Sequence, residues 1–137
     1  MNTLPPIPFN NPAKPISSEA LTMREQWWTQ LLDKYKPSLA SLIIACNDAL
    51  YRYDIFTEMP YAYDMELYDE YLEESVALAL NLSQSLTFLD KQQICVIVKD
   101  IADKFFDSPR GLHIEDVFLQ EISEAYQVYY HVTHNEG

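Results

Sequence analysis

The chain has 137 residues, of which 48% are hydrophobic, and a formal net charge of −12. The length suits a single domain that buries a core without staples, and so large a hydrophobic fraction excludes intrinsic disorder. Nine basic residues against 21 acidic ones disfavour direct nucleic-acid binding, and only two glycines argue against all-β folds and phosphate-cradling loops. Helices are therefore favoured.

The N-terminal arm comes first along the chain. Residues 1–16 carry five prolines, which fix the backbone and remove amide donors, so an extended proline-rich arm is predicted. The arm either lies over the body through its apolar side chains or is mobile, and both alternatives stay open. Residues 17–134 are predicted to form one helical-bundle domain, and residues 135–137 a tail.

Two helices are predicted directly after the arm. The first begins at Ser17 or Ser18, either of which is a good N-cap, and extends to about Tyr35. Pro37 suits the first position of the second helix, which continues to about Tyr53 with apolar residues at three- and four-residue steps.

Three further helices complete the prediction. The third covers roughly residues 62–85. Thr87, with Asp90 three residues later, resembles a capping box for the fourth helix. The fifth extends from about residue 112 to 131. Short loops between amphipathic helices predict an all-α fold, a compact bundle of about five antiparallel-type helices.

The cysteines and the lack of a long apolar stretch indicate where in the cell the protein is located. Cys46 and Cys95 stand in apolar helical stretches and are interpreted as two buried thiols. No signal peptide is evident, and no apolar stretch approaches the roughly 20 residues that span a bilayer. A soluble, cytoplasmic protein with no membrane contact is expected.

Negative charge is concentrated between Arg52 and Lys91, where the chain has nine acidic residues and no basic one. A helix over residues 65–79 places an apolar stripe beside an arc of carboxylates, and like charges four residues apart repel each other. The arc is either a solvated face that keeps the protein soluble or, as we favour, a docking face for a basic partner with tyrosines as anchors. The candidate partner-binding residues are Asp64, Glu66, Asp69, Glu70, Glu73, Glu74, Tyr61, Tyr63, Tyr68 and Tyr71.

The same carboxylates form no recognisable metal motif. An EF-hand loop and the Glu-x-x-His pairs of di-metal bundles are both missing. His131 and His134 are interpreted as part of a solvated helix end and not as zinc ligands. Nucleophile-elbow, Walker-type, dinucleotide and H-E-x-x-H motifs are also missing. We expect no catalytic residue, no metal and no cofactor.

The leading prediction is a non-enzymatic acidic interaction protein that binds a basic protein partner and blocks its site. Inhibitors of nucleic-acid-binding proteins and immunity proteins that neutralise basic nucleases work in this way, and the comparison rests on charge alone. The alternative is a helical adaptor or oligomerising subunit, because adjacent aromatic residues at 27–28 and 129–130 cannot all face one core. An enzyme of unrecognised type is the third hypothesis. The oligomeric state is left open, and whether the acidic third and fifth helices share a surface depends on the tertiary structure.

Overall fold

Five α-helices account for most of the residues that a computed structural model of the chain describes, namely 4–5, 15–53, 55–56, 63, 65–105 and 114–135. They are α1 (Ser18–Lys34), α2 (Pro37–Tyr53), α3 (Leu72–Ser83), α4 (Lys91–Phe105) and α5 (Asp116–Asn135). The described ranges contain no strand, so the predicted all-α bundle is confirmed. Most of the predicted arm, and the last two residues of the predicted tail, lie outside those ranges.

Helix α2 is the centre of the bundle. It packs against α1, α3 and α5, while α4 packs against α3 and α5. Eleven of its 17 residues are buried, so its surroundings cover polar as well as apolar positions. Among the buried residues are Asn47, Asp48 and Arg52, which an amphipathic helix ordinarily turns towards solvent.

The helix starts follow the capping rules, with one change from the prediction. Ser17 caps α1, because its Oγ accepts a hydrogen bond from the Ala20 amide at 3.2 Å. A capping box does begin α4, but it is formed by Asp90 and Gln93, whose side chains accept from each other's amides at 2.9 Å. The predicted box that began at Thr87 is therefore wrong by three residues.

Helix α3 is shorter than predicted. It begins at Leu72, and the described residues before it, 65–71, form successive turns with hydrogen bonds between residues three apart, such as Glu70 N to Leu67 O at 3.1 Å. Glu66 has a φ of 57°, in the left-handed region, which a right-handed helix does not contain. The prediction of a continuous third helix is therefore wrong for residues 65–71.

Two smaller differences concern α5 and the cysteines. The last helix is Asp116–Asn135, shifted by about four residues from its predicted start and end. Cys46 is fully buried as predicted, but Cys95 is only half-buried on α4. Among the described helices, none combines the length and the apolar character that crossing a bilayer requires.

Candidate partner-binding surface

Four of the predicted binding residues lie together at the start of α3 and in the turns before it. Glu66, Asp69, Glu70 and Glu73 are all exposed, and we call these four residues the acidic surface. The ion pairs found within the described part of the chain involve none of them. Their charges are therefore uncompensated by a nearby Lys or Arg from the described ranges.

Tertiary structure adds Glu19 to this region. Glu19 is in the first turn of α1, and its carboxyl group lies against that of Glu66. A hydrogen bond that the protonated Glu19 carboxyl donates to Glu66, followed by the charge of Glu66, raises the pKa of Glu19. Two carboxyl groups that share a proton in this way repel each other when both are ionised. This contact could not be predicted from local sequence patterns, because the two residues are far apart along the chain.

Glu74 was predicted to bind the partner, but the structure turns it inward. Its side chain is 8% exposed, and its Oε2 atom has no hydrogen-bond partner among the described residues. Burial raises the pKa of Glu74, its own backbone amide offsets part of the shift, and the charges of Glu73 and Glu70 raise it further. Glu74 is thus a buried carboxyl group beneath the acidic surface and is not a contact residue.

Two predicted aromatic anchors are also in the core. Tyr68 is 0% exposed and Tyr71 is 5% exposed, so neither is available to a partner. Their placement as anchors assumed a helix over residues 65–79, whereas the turns direct both rings into the bundle. Tyr71 packs edge-on against Phe56, with ring centroids 5.3 Å apart.

Of the other two predicted tyrosines, Tyr63 lies among the described residues. Tyr63 is half-buried, and its hydroxyl donates to the carbonyl oxygen of Pro15 at 2.7 Å. Tyr63 therefore connects the chain just before the acidic surface to the residues just before α1. Tyr61 and Asp64, the other predicted contact residues, lie outside the described residues.

A buried ion pair lies below the acidic surface. The Nε of Arg24 is 2.9 Å from Oδ1 of Asp48, and its Nη2 is 2.9 Å from Oδ2 of the same residue. The hydroxyl of Tyr68 donates to Oδ1 of Asp48 at 2.6 Å. Arg24 also donates to the carbonyl oxygen of Pro5 at 2.6 Å, so this short part of the arm lies on the body. Arg24 of α1 and Asp48 of α2 thereby neutralise each other inside the protein.

Side-chain amides and hydroxyls extend this network to α3. Asn47 donates from Nδ2 to the backbone carbonyl of Tyr68 at 2.9 Å, and its Oδ1 accepts from the hydroxyl of Ser75 at 2.9 Å. Every residue of this set is buried. The turns that carry the acidic surface are consequently fixed to α2 at both the backbone and the side chain of Tyr68.

A second buried ion pair joins α2 to α5. Nη1 of Arg52 is 2.6 Å from Oε1 of Glu121, and the hydroxyl of Tyr53 donates to Oε2 of the same carboxylate. Burial raises the pKa of Glu121, and the hydrogen bond from Tyr53 and the charge of Arg52 oppose the increase. Sequence reasoning missed both ion pairs. The available signal was a pair of charged residues four apart, Asp48 and Arg52, on a helix that is otherwise largely apolar.

Two of the acidic residues of α5 are held in ion pairs. Glu121 is buried, and Asp116 forms an ion pair with Lys91 at 3.0 Å. The contact between α3 and α5 includes a cavity at the end of α3, whereas the acidic surface is at the start of that helix. The start of α1 contributes Glu19 to the acidic surface, through its contact with Glu66.

Within the described ranges, no group of three or more His, Cys, Asp or Glu side chains is arranged to hold a metal ion. Trp28 is in the core, while Trp27, Tyr129 and Tyr130 are half-buried. Of these four side chains, Trp28 alone is fully in the core, and the other three are partly accessible.

Comparison with known proteins adds no relative. The chain matches no protein-family model, no curated protein and no solved structure. Charge, burial and side-chain geometry are therefore the basis for a functional assignment.

Proposed function

We propose that this chain is a non-enzymatic interaction protein that binds a basic protein partner through the acidic surface and blocks that partner's site. The observation that carries this proposal is the exposure of four carboxylates without an ion-pair partner in the described ranges, with Glu19 placed against Glu66. A group of uncompensated like charges attracts a cationic surface and steers its approach. Binding such a surface relieves the repulsion between these carboxylates.

Rigidity supports the same proposal. The segment that bears the acidic surface is held by Tyr68, which bonds to Asp48 through its hydroxyl and to Asn47 through its backbone carbonyl. A surface that is already ordered loses less conformational entropy when a partner binds. The buried polar network therefore favours affinity without itself touching the partner.

The chemistry of the partner follows from the charge of the surface. Proteins that bind nucleic acid present Lys and Arg side chains to phosphates, so their binding sites are basic. A row of carboxylates can occupy such a site in place of the phosphates, which is the role of an inhibitor or an immunity protein. We place this activity in the cytoplasm, which suits a chain whose two cysteines are free thiols.

Affinity capture from the lysate of the native host tests the proposal. Three baits are compared at low and at high salt: the wild type, an acidic-surface variant and a charge-matched control variant. The acidic-surface variant carries Glu66→Gln, Asp69→Asn, Glu70→Gln and Glu73→Gln. The control variant carries Glu25→Gln, Asp33→Asn, Asp100→Asn and Asp103→Asn, all of which are exposed and lie elsewhere on the protein.

The wild type and the control variant are expected to retain a basic protein at low salt and to release it at high salt. The acidic-surface variant is expected not to retain that protein, although its circular dichroism spectrum stays that of the wild type. Equal retention by all three baits contradicts the proposal, and so does retention that survives high salt, because screening weakens exposed charge interactions.

An adaptor or oligomerising subunit is the second candidate. Val128 is 64% exposed and Val132, one turn later on α5, is also exposed, as is Leu86 at 97%. Exposed apolar side chains on successive turns suit an interface that persists at high salt. A salt-resistant partner, or a protein that sediments as an oligomer, favours this candidate over the first.

A further inference from the structure

A cavity of about 340 Å³ lies between the end of α3 and the C-terminal half of α5. Its size is within the range of small-molecule sites, about 300–1,000 Å³. Since α3 rises about 1.5 Å per residue, the nine-residue step from Glu73 to Leu82 places the cavity about 14 Å along the helix from the acidic surface. The cavity is therefore independent of the surface in the function proposed above. The polar and aromatic residues used below are Ser83, Ser85, Tyr129, Tyr130, Thr133 and His134.

Three hydroxyl groups in the cavity wall donate their hydrogen atoms to backbone carbonyls. Ser83 donates to the backbone carbonyl of Leu80 at 2.9 Å, and Ser85 donates to that of Thr87 at 2.7 Å. The hydroxyl of Thr133 donates to a carbonyl one turn back in α5, also at 2.9 Å. A hydroxyl has one hydrogen and two lone pairs, so each of these oxygens remains available only as an acceptor.

In its neutral form the imidazole of His134 also supplies an acceptor. Its Nδ1 is 2.9 Å from the backbone carbonyl oxygen of Tyr130. A carbonyl oxygen can only accept, so Nδ1 carries the hydrogen and Nε2 is the acceptor of the neutral ring. The imidazole stacks on the ring of Tyr130, with centroids 3.8 Å apart and an interplanar angle of 21°. This stacking fixes the orientation of Nε2.

The electrostatics of the cavity favour positive charge. Ser83 belongs to the last turn of α3, and Thr133 and His134 belong to the last turn of α5. The C-terminal end of a helix carries a partial negative charge and stabilises nearby cations. None of the described residues that line the cavity is Lys or Arg, and the whole chain has a net charge of −12. The half-buried ring of Tyr129 adds an aromatic wall, which attracts cations through its π face.

We propose that this cavity binds the primary ammonium group of an alkylamine. A primary ammonium has three donors, no acceptor and a positive charge, so it matches a wall of acceptors at the negative ends of two helices. The hydroxyl oxygens of Ser85 and Thr133 and Nε2 of His134 accept its hydrogens, and Tyr129 contacts its alkyl chain. The same group occurs on free amines and on lysine side chains of proteins.

A two-dimensional NMR titration with butylammonium chloride tests the site, with 1-butanol and sodium butyrate as matched neutral and anionic probes. Butylammonium is expected to shift the amide signals of Thr133 and His134. Its apparent affinity is expected to exceed that of 1-butanol by about tenfold, as for a hydrogen-bonded group that carries a charge. Equal binding of 1-butanol, binding of butyrate, or no shift with butylammonium overturns the proposal.

Two variants locate the binding. Thr133→Val keeps the shape of the side chain but removes the acceptor, and it is expected to weaken butylammonium binding by about tenfold. His134→Phe keeps the stacked ring, removes Nε2 and is expected to weaken binding similarly, which gives a second measurement if Thr133→Val does not fold. The control is Thr29→Val, because the hydroxyl of Thr29 makes the same type of bond on α1 at an exposed position. Loss of affinity in Thr29→Val equal to that in Thr133→Val contradicts the assignment.

Peptides distinguish the two sources of the ammonium group. A short peptide with one lysine is compared with the same peptide acetylated on that side chain. Tighter binding of the lysine peptide than of butylammonium assigns the cavity to a protein ligand, and weaker binding assigns it to a free amine. Equal binding of the acetylated and unmodified peptides contradicts recognition of the ammonium group.

Discussion

Arg24 in α1 and Asp48 in α2 form a buried ion pair, in which Nε and Nη2 of Arg24 lie 2.9 Å from Oδ1 and Oδ2 of Asp48. Tyr68 donates to the same carboxylate, so this pair also holds the turns that carry the acidic surface. Burial raises the pKa of Asp48, and Arg24 and Tyr68 oppose the increase by stabilising the ionised form. The position of the exposed carboxylates thus depends on a charged group in the interior.

Breaking this ion pair from one side is expected to be strongly destabilising. Asp48→Leu leaves a buried guanidinium without a counterion, and Arg24→Met leaves a buried carboxylate, so each should lower the free energy of unfolding by about 3–5 kcal/mol. The double variant should lose much less than the sum, because neither charge is then left unpaired. Urea unfolding of the four proteins gives the coupling energy, and strictly additive losses contradict this role of the pair.

Glu74 is expected to destabilise the native protein at neutral pH. Because its native pKa is raised above the ordinary value of 4.5, protons bind the folded chain more readily than the unfolded one. Its ionisation therefore lowers stability as the pH rises through the native pKa, and the loss is absent below 4.5. Glu74→Gln is expected to raise the free energy of unfolding at pH 7 by about 1 kcal/mol.

The pH profile is the decisive part of that measurement. The advantage of Glu74→Gln over the wild type should shrink as the pH falls through the native pKa and vanish below 4.5, where the wild-type carboxyl is protonated in both states. Glu73→Gln, at the exposed neighbouring position, is the control and should stay within about 0.5 kcal/mol of the wild type. An advantage of Glu74→Gln that is constant across this range contradicts the assignment.

The two thiols are expected to react differently with a disulfide reagent. Cys46 is fully buried on α2, and burial raises the pKa of its thiol, which suppresses the reactive thiolate. Cys95 is half-buried on α4 and therefore accessible in part. Native protein should be labelled at one thiol and urea-unfolded protein at two, as counted by mass spectrometry. Labelling of Cys95→Ser in the native state at the wild-type rate contradicts this difference.

The helices were predictable from local patterns, and the start of α3 shows where such patterns stop. Ser17 and Pro37 mark their helix starts through backbone chemistry that depends on few neighbours. Tyr68 and Tyr71 fit an apolar helical stripe, but the chain instead turns through Glu66 in the left-handed region. Both tyrosines are buried through contacts with α2 and the residues after it, which periodicity within one segment does not contain.

The candidate surface was predictable in composition but not in geometry. Charge counting located the exposed carboxylates of the 66–73 segment, since acidic side chains are usually solvated. It did not separate Glu73, which is exposed, from Glu74, which is buried, because that difference depends on the true start of α3. The approach of Glu19 to Glu66 depends on how α1 packs, so it required the tertiary structure.

Binding of a basic partner through the acidic surface is tested most directly by the association rate constant of the captured partner. It is measured by stopped flow at low and at physiological ionic strength for the wild type, the acidic-surface variant and the charge-matched control variant. The acidic-surface variant should associate at least about tenfold more slowly at low salt, and the difference should shrink when charges are screened beyond about 8 Å. The control variant should stay within about threefold of the wild type, because its removed charges lie away from the acidic surface. Equal association rates for the wild type and the acidic-surface variant contradict the proposed function.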